Sequence, residues 1–301
     1  MKQKILITGG SGFIGSSVRE ILKSFECEVL TIGRSKDEDF VCDLSELKLE
    51  NLLKEILPDV VCHFASGSNI TRAEKEKEKE FNDAVMGTEN LINCLAKLKS
   101  KPEKIIYLSS QVIYGLPKYL PVNESHPTGP ITVYGKNKLN VEKIIIQSGF
   151  NYLIFRASSV FGKKQDYSKS GVIAKFINKL QNNQSPIVFN SFDLFFDFVY
   201  VSDLALAIVK AVQNSSVQNE IFNLGSGKPT SLKKLLDILY EYFPGAPKAK
   251  LQLNPLYLSE EQKGLYLDIS KIQSYLKWEA KYKIEDGLKE MLADYILTKR
   301  N

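Results

Sequence analysis

The 301-residue chain has few of the residues on which metal sites and disulfide frameworks depend. It contains two histidines and four cysteines, and the cysteines form no C-x-x-C pair; they are Cys27, Cys42, Cys62 and Cys94. This wide spacing argues against a zinc site or a redox pair, so we expect no bound metal. We expect the thiols to stay reduced, as they would inside a cell.

The chain also lacks a strong excess of one charge sign and long apolar runs. Forty basic residues accompany thirty-five acidic ones, and the net charge of +5 is spread along the whole length. That balance gives little support to nucleic-acid binding. The N-terminal sequence MKQKILITGG reaches glycine after three apolar residues, which is too short for a signal peptide or a membrane span. We therefore expect a cytoplasmic protein without a nucleic-acid or membrane partner.

Short apolar runs alternate with longer amphipathic segments over the first two thirds of the chain. The runs 5–7, 29–32, 60–62 and 105–108 are rich in β-branched residues, as in strands that are covered on both faces. The clearest helical period extends from Phe81 to Leu98. This alternation predicts a doubly wound parallel α/β sheet of the Rossmann type.

The pattern changes after Phe161. Residues 162–171 are polar and aperiodic, which predicts a loop between two lobes. We expect a dinucleotide-binding Rossmann domain over 1–161, to which some later segments return, and a smaller α/β substrate lobe mainly over 162–301. Ser202, before the helical run DLALAIVKAV, is expected to be an N-cap.

One segment has an unusual charge pattern. Glutamate and lysine alternate strictly from Glu74 to Glu80. In a helix, this alternation places like charges four apart and opposite charges three apart, so it is typical of a solvated helix start or loop. We expect no functional residue within it.

A glycine-rich turn, TGGSGFIG, follows the first predicted strand. Gly9, Gly12 and Gly15 are three residues apart. Such glycines let the backbone turn sharply and approach a pyrophosphate, which the N–H groups of the following helix can bind. An isolated glycine pattern also fits a purely structural turn, but the strand before it and the helix after it favour a dinucleotide site.

This turn and other collinear motifs resemble the extended short-chain dehydrogenase/reductase family, in particular its NAD(P)-dependent nucleotide-sugar epimerases, dehydratases and reductases. The motifs run along most of the chain: TGGSGFIG (8–15), DL (43–44), PDVVCHFA (58–65), GTENL (87–91), YGKNK (134–138), DFVYV (197–201) and FNLGSG (222–227). Besides the glycines, the resemblance implies cofactor contacts from Phe13, Ile14, Asp43, Leu44, Phe64, Ala65, Ser66, Tyr134 and Lys138.

The residues after the second predicted strand bear on which cofactor is bound. NAD sites usually place a carboxylate there for the ribose hydroxyls, but this chain has Gly33, followed by Arg34 and Ser35. A guanidinium can hold a 2′-phosphate, so Arg34 and Ser35 favour NADP, unless Arg34 is an ordinary surface residue. Asp37 and Asp39, slightly later, keep NAD as the alternative.

Tyr134 and Lys138 are four residues apart, so on a helix they share one face. We expect the ammonium to lower the pKa of the phenol by about one to three units, which suits proton transfer at a carbinol or ketone. By the resemblance, Lys138 also holds the nicotinamide ribose. Counting back four from Tyr114, as the family motif does, selects Ser110 over Ser109 as the hydroxyl that donates to the substrate oxygen.

The chain departs from the family pattern where substrate is bound. Gln111 replaces the start of the Asp-Glu pair of the dehydratases, so dehydration is not expected. Ser159 stands in place of a substrate-contacting Asn, and Phe196 in place of an Arg that contacts the nucleotide diphosphate. Residues 257–267 lack the usual Arg-Pro-Gly-Asp-like segment. Either another cation supplies the charge, or the substrate is not a conventional nucleotide sugar.

Together these features predict an NADP-dependent 4-ketoreductase of a nucleotide-linked deoxysugar, with Ser110, Tyr134 and Lys138 as catalytic residues. We expect Ser110, Gln111, Ser159 and Phe196 to contact the substrate. One alternative is an NAD(P)-dependent nucleotide-sugar 4-epimerase that uses the same catalytic residues. Another is a catalytically silent cofactor sensor, because fold alone does not fix function. A homodimer is common in the families that the chain resembles.

Overall fold

The computed structural model describes residues 2–67, 70–168, 171–253 and 264–293. Its strands are β1 (Gln3–Thr8), β2 (Cys27–Gly33), β3 (Phe40–Val41), β4 (Val60–His63), β5 (Lys104–Ser110), β6 (Tyr152–Ala157), β7 (Ser159–Phe161), β8 (Ile187–Phe189), β9 (Phe195–Tyr200), β10 (Glu220–Leu224), β11 (Pro229–Ser231), β12 (Lys250–Gln252) and β13 (Gly264–Leu265).

The helices are α1 (Phe13–Leu22), α2 (Leu49–Ile56), α3 (Ile70–Lys75), α4 (Lys77–Phe81), α5 (Gly87–Ala96), α6 (Val133–Gln147), α7 (Val172–Gln181), α8 (Val201–Gln213), α9 (Leu232–Tyr242), α10 (Ser270–Leu276) and α11 (Ile284–Met291). A π-helical turn (Asn82–Met86) joins α4 to α5, and a 3-10 turn (Gln111–Tyr114) follows β5. Among the residues described, no helix is both long and apolar enough to cross a membrane.

Seven parallel strands form the main sheet, in the order β10-β6-β5-β4-β1-β2-β3. One face packs against α1, α8 and α10, and the other packs against α2, α5 and α6. The predicted doubly wound Rossmann-type sheet is therefore confirmed, and all four predicted apolar runs lie in its strands. The strand order reverses beside β1, where the carboxyl ends of β1 and β4 leave a crevice that can bind a ligand.

A smaller sheet is centred on β9, which pairs with β7, β11 and β13. An apolar cluster lies between this sheet and α7, α9 and α11, and it includes Phe161, Phe198 and Tyr200. Later segments also contribute to the main sheet, since β10 pairs with β6 and α8 packs against α1.

Two local predictions differ from the structure. The period from Phe81 to Leu98 is helical, but the π-turn interrupts it, and the Thr88 hydroxyl donates to the carbonyl oxygen of Ala84 there (2.6 Å). The predicted N-cap at Ser202 is wrong. Helix α8 already begins at Val201, directly after the extended residue Tyr200 that ends β9, so Ser202 lies within the first helical turn.

A buried hydrogen-bonded chain joins β1, β4 and α5. Because the Thr88 hydroxyl donates to Ala84, its oxygen accepts from Nε2 of His63 (2.8 Å), and Nδ1 of His63 then accepts from the Thr8 hydroxyl (2.8 Å). The Thr8 oxygen in turn accepts the N–H groups of Phe64 and Ala65. Burial lowers the pKa of His63 to about 3, so the imidazole is neutral at physiological pH.

This buried histidine should make the fold sensitive to acid. Below pH 6.5 the unfolded chain protonates His63 but the folded chain does not, so the free energy of unfolding falls as pH drops from 6.5 towards 3. The expected slope is about 1.4 kcal/mol per pH unit. Urea unfolding between pH 7.5 and 4.5 measures it. His63→Gln should be less stable at pH 7.5 but lose this slope, whereas Thr88→Val keeps the imidazole and the slope. Equal slopes in wild type and His63→Gln would contradict the assignment.

Candidate active site

The glycine turn between β1 and α1 is closely packed on its inner side. Gly9 has a φ of +71°, and a Cβ there would lie 3.2 Å from the backbone nitrogen of Ala65. A Cβ on Gly15 would collide with the carbonyl oxygen of Gly9, which also accepts the N–H of Gly12 (3.1 Å). Backbone at this turn can therefore approach a pyrophosphate without interference from side chains.

Helix α1 begins at Phe13, so its unpaired N–H groups lie at the turn. The carbonyl oxygen of Phe13 accepts the hydroxyls of Ser16 and Ser17, while Ile14 packs onto the apolar core beneath the helix. The glycine turn and the start of α1 together form a cradle of backbone N–H groups at the position predicted for the cofactor.

A carboxylate that the sequence reasoning missed lies beside this cradle. Glu38 is 7% exposed, and its Oε1 accepts the N–H of Ser11 in the turn (2.8 Å). Its Oε2 is buried and has no hydrogen-bond partner in the described chain. A Cβ on Gly10 would lie 3.1 Å from Oε2, and one on Gly33 would lie 2.9 Å from Oε1. Glu38 therefore occupies the space next to the end of β2, with one oxygen that has no partner among the described residues.

The neighbouring acidic residues have other partners. Asp39 accepts the backbone N–H and hydroxyl of Thr31 and pairs with Arg19 (2.9 Å). Asp37 is exposed and interacts with the Ser35 hydroxyl. Glu38 thus lies between two other carboxylates in the sequence, and only the fold distinguishes it from them.

Arg34 is engaged by carboxylates. Its Nη1 lies 2.9 Å from Asp83 and 3.6 Å from Asp43. The carbonyl oxygen of Leu44 accepts the side-chain amide of Asn90 (2.7 Å). The structure thus brings Arg34 to the predicted adenine-contacting pair, but a 2′-phosphate would have to compete with two carboxylates for its guanidinium.

Beyond β4, Phe64, Ala65 and Ser66 continue along the crevice. Ser66 is buried, and its hydroxyl accepts from the Lys138 ammonium (2.7 Å) and donates to the Tyr107 hydroxyl (3.2 Å). The predicted cofactor residue Ser66 and the predicted catalytic Lys138 are therefore in direct contact.

Helix α6 carries Tyr134 and Lys138, and it is fixed at both ends. At its start, the Thr132 hydroxyl accepts the N–H of Gly135 (3.1 Å), and Glu74 accepts the N–H of Val133 (2.8 Å). Further along, Glu142 forms a buried bidentate ion pair with Arg156 of β6 (2.9 and 3.2 Å). These contacts hold the face of α6 that carries Tyr134 and Lys138 over the carboxyl ends of β4 and β5.

The structure changes one expectation about Tyr134. Lys138 was expected to lower its pKa. Burial instead raises the pKa of Tyr134 to about 12, although a hydrogen bond with the Ser110 hydroxyl lowers it in part. The Lys138 ammonium instead donates to Ser66 and to the carbonyl oxygen of Leu108 (2.9 Å), 5.6 Å from the Tyr134 ring centre. Burial lowers the pKa of Lys138 itself to about 7. The phenol is therefore protonated at neutral pH, the state that donates a proton.

The predicted substrate residues lie in two places. Ser110 ends β5, and its oxygen accepts the N–H of Val112 (3.4 Å); Gln111 follows, with a buried Oε1 that has no partner among the described residues. Ser159 and Phe196 are half-buried in β7 and β9 of the smaller sheet, where the Phe196 ring lies 5.9 Å from that of Phe198. The segment 257–267 lies mostly outside the described residues.

Other site chemistries find no support in the part of the chain that the structure describes. No group of three or more His, Cys, Asp or Glu residues is arranged there to hold a metal ion. Burial raises the pKa of the Cys62 thiol to about 12, so this cysteine is an inert core residue.

Comparisons with known proteins agree with this geometry. A family model described as the NAD dependent epimerase/dehydratase family matches residues 5–225. A Methanocaldococcus jannaschii protein with the provisional name UDP-glucose 4-epimerase is 34% identical over 304 residues, 96% of this chain and 97% of that protein. The dTDP-4-dehydro-6-deoxyglucose reductase of Escherichia coli is 27% identical over 314 residues, 97% of each chain.

Two solved structures show the same fold. The UDP-glucose 4-epimerase of Thermotoga maritima, crystallised with UDP-glucose, has a TM-score of 0.88 at 24% identity and covers 99% of this chain and 100% of its own. The UDP-glucose 4-epimerase of Thermus thermophilus in complex with NAD has a TM-score of 0.85 at 22% identity, over 98% of this chain and 99% of its own. The chain belongs to the NAD dependent epimerase/dehydratase family, a branch of the extended short-chain dehydrogenases/reductases, and is an enzyme of the NAD(P)-dependent oxidoreductase/epimerase type.

Proposed function

We propose that this enzyme is a nucleotide-sugar 4-epimerase that uses NAD. The observation that carries this proposal is the buried Glu38 carboxylate beside the glycine turn, with one oxygen free. A carboxylate there can accept ribose hydroxyls and would repel a 2′-phosphate. Two of the similar proteins, from Methanocaldococcus jannaschii and Thermus thermophilus, bear the name UDP-glucose 4-epimerase, and the second was crystallised with NAD.

The cradle fits a dinucleotide, so its residues can be assigned. The backbone of Gly9 and Gly12 and the N-terminus of α1 would hold the pyrophosphate. Glu38 would accept hydrogen bonds from the adenosine ribose, and Lys138 would hold the nicotinamide ribose. When bound, the nicotinamide cofactor accepts a hydride from the sugar carbon and returns it.

The proton chemistry belongs to the chain itself. Tyr134, once its own proton has passed to solvent, would as a phenolate take the proton of the sugar C4 hydroxyl as the alcohol is oxidised, and return it when the ketone is reduced from its other face. Ser110 would donate a hydrogen bond to the same oxygen as charge develops there. Because Tyr134 starts as a protonated phenol, its action as a base needs positive charge nearby, and the Lys138 ammonium is the group placed to supply it.

The second candidate is the NADP-dependent 4-ketoreductase that the sequence predicts. Two observations favour it: Arg34 lies beside Asp43 at the predicted adenine contact, and the protonated Tyr134 is already in the proton-donating state. The Escherichia coli relative is named as a reductase of this kind. We also propose that the smaller sheet, with Ser159 and Phe196, closes over the nucleotide sugar as a separate substrate lobe. Two copies of the chain would form a dimer.

Cofactor choice is the first test. Isothermal titration of the purified protein with NAD and NADP should give tighter binding of NAD. Glu38→Gln keeps an acceptor for Ser11 but removes the negative charge, so NAD affinity should fall by about tenfold and the preference over NADP should narrow. Asp37→Asn, the same charge change on an exposed neighbour, should leave both affinities unchanged. Tighter binding of NADP by the wild type would instead support the ketoreductase.

The reaction itself is the second test. With catalytic NAD, the enzyme should interconvert UDP-glucose and UDP-galactose without net oxidation of cofactor, as followed by NMR of the sugar anomeric protons. Tyr134→Phe should lower kcat by about 10²- to 10⁴-fold and leave NAD affinity unchanged. Tyr275→Phe, which alters an exposed tyrosine on α10, is the matched control.

Other outcomes separate the alternatives. Stoichiometric consumption of NADPH with a nucleotide-linked 4-ketosugar, and no interconversion, would identify the ketoreductase. Binding of cofactor with no turnover of any nucleotide sugar, and no effect of Tyr134→Phe, would support the silent sensor.

A further inference from the structure

The alternating segment 74–80 does not behave as a uniformly solvated run. Glu74 to Lys79 are exposed, as expected, but Glu80 is only 1% exposed. The expectation that the whole run faces solvent is therefore wrong at Glu80. A glutamate is almost never this deeply buried without a reason, because removing a carboxylate from water is costly.

Only one oxygen of Glu80 is satisfied within the described chain. Its Oε2 accepts from Nε and Nη2 of Arg72 (3.0 and 2.8 Å). Its Oε1 is buried and has no hydrogen-bond partner among the described residues. Oε1 lies directly against Gly67, where a Cβ would collide with it, and Gly67 has a φ of +62°. The arrangement leaves a negative oxygen directed at the residue that follows Ser66.

This oxygen lies against Gly67, one residue after Ser66, whose hydroxyl accepts from the Lys138 ammonium. Helix α4, which carries Glu80, and α3, which carries Arg72, both pack against α6. Titratable groups surround Lys138 on every packed element: His63 on β4, Tyr107 on β5, Tyr134 and Glu142 on α6, and Glu80 on α4. Arg72 on α3 is the cation nearest to Glu80.

Most of these groups are uncharged. His63 is neutral, and burial raises the pKa of Tyr107 and Tyr134, so all three carry no charge at neutral pH. Glu142 raises the pKa of Lys138 less than Glu80 does, and both of its oxygens are engaged by the Arg156 guanidinium. Glu80 is the carboxylate near Lys138 that keeps an uncommitted oxygen within the described chain.

We infer that Glu80 is a positioning residue, whose carboxylate, fixed by Arg72 and set against Gly67, keeps the buried Lys138 charged and oriented in the active site. The inference rests on the proposed function only for what Lys138 does there. Burial lowers the pKa of Lys138 to about 7 although the Glu80 and Glu142 charges raise it, so loss of the Glu80 charge should leave the lysine largely neutral at neutral pH. A structural role alone would lower stability without changing the titration of Lys138.

The test is a direct titration of Lys138 in the cofactor-free protein. Lysine labelled with ¹³C at Cε is followed by NMR against pH, and the Lys138 signal is assigned from its loss in Lys138→Arg. In Glu80→Gln the midpoint should fall by about one pH unit. In Glu78→Gln, the same charge change on an exposed residue of α4, it should not move. Glu80→Asp keeps the charge and should restore much of the wild-type midpoint.

The outcomes are separable from those of the proposed function, because the titration needs neither substrate nor cofactor. Midpoints in Glu80→Gln that match those in Glu78→Gln would overturn the inference, even if the enzyme proves to be an epimerase. If Glu80→Gln does not fold, as judged by circular dichroism, Glu80→Met removes the same charge with a side chain of similar size, and Arg72 keeps Asp83 as its partner. Its midpoint should also fall, and an unchanged midpoint there would equally overturn the inference.

Discussion

The arrangement of the candidate active site depends on one buried ammonium group. The Lys138 side chain lies beneath α6, and its Nζ is held by one hydroxyl and one carbonyl oxygen, from Ser66 and Leu108. A cation in such a place is stable only if nearby groups compensate for the lost hydration. The elements that supply this compensation, β4, β5 and the segment before α5, therefore have to meet α6 at one point. The crevice therefore lies where these elements contact α6.

A second buried pair fixes the direction of α6. The Arg156 guanidinium binds Glu142 with two hydrogen bonds and also donates to the Tyr114 hydroxyl (3.1 Å), which donates to Asn223 of β10 (2.6 Å). The helix is thus joined to strands at the outer edge of the sheet as well as to its centre. Removing one partner of such a pair costs about 3–5 kcal/mol. The geometry of the site consequently depends on residues that never touch a ligand.

The sequence predicted the parts of this site that depend on local spacing. The glycine turn and the Tyr134–Lys138 pair were recognisable because three-residue and four-residue intervals have a fixed meaning at a helix start and on a helix face. The strands were recognisable from short β-branched runs. Ser110 needed the family motif to distinguish it from Ser109.

The two carboxylates to which we assign roles, Glu38 and Glu80, were not predictable in this way. Glu38 stands between two other acidic residues, and only the return of the loop after β2 brings it against the turn. Glu80 ends a run whose other members are solvated. In both cases nearby residues of the same charge offer the same side-chain chemistry, so burial, which is a property of the tertiary structure, decides which residue matters.

The π-turn Asn82–Met86 lies between two buried contacts, so the number of residues across it matters. It separates Glu80, buried against Gly67, from Thr88, buried beside His63. Each residue added to or removed from a helix rotates everything beyond it by about 100°. A single insertion or deletion here would therefore turn either the carboxylate or the hydroxyl out of the core. Sequence length between these two residues should be invariant among proteins that share both contacts, whatever the composition of the exposed positions between them.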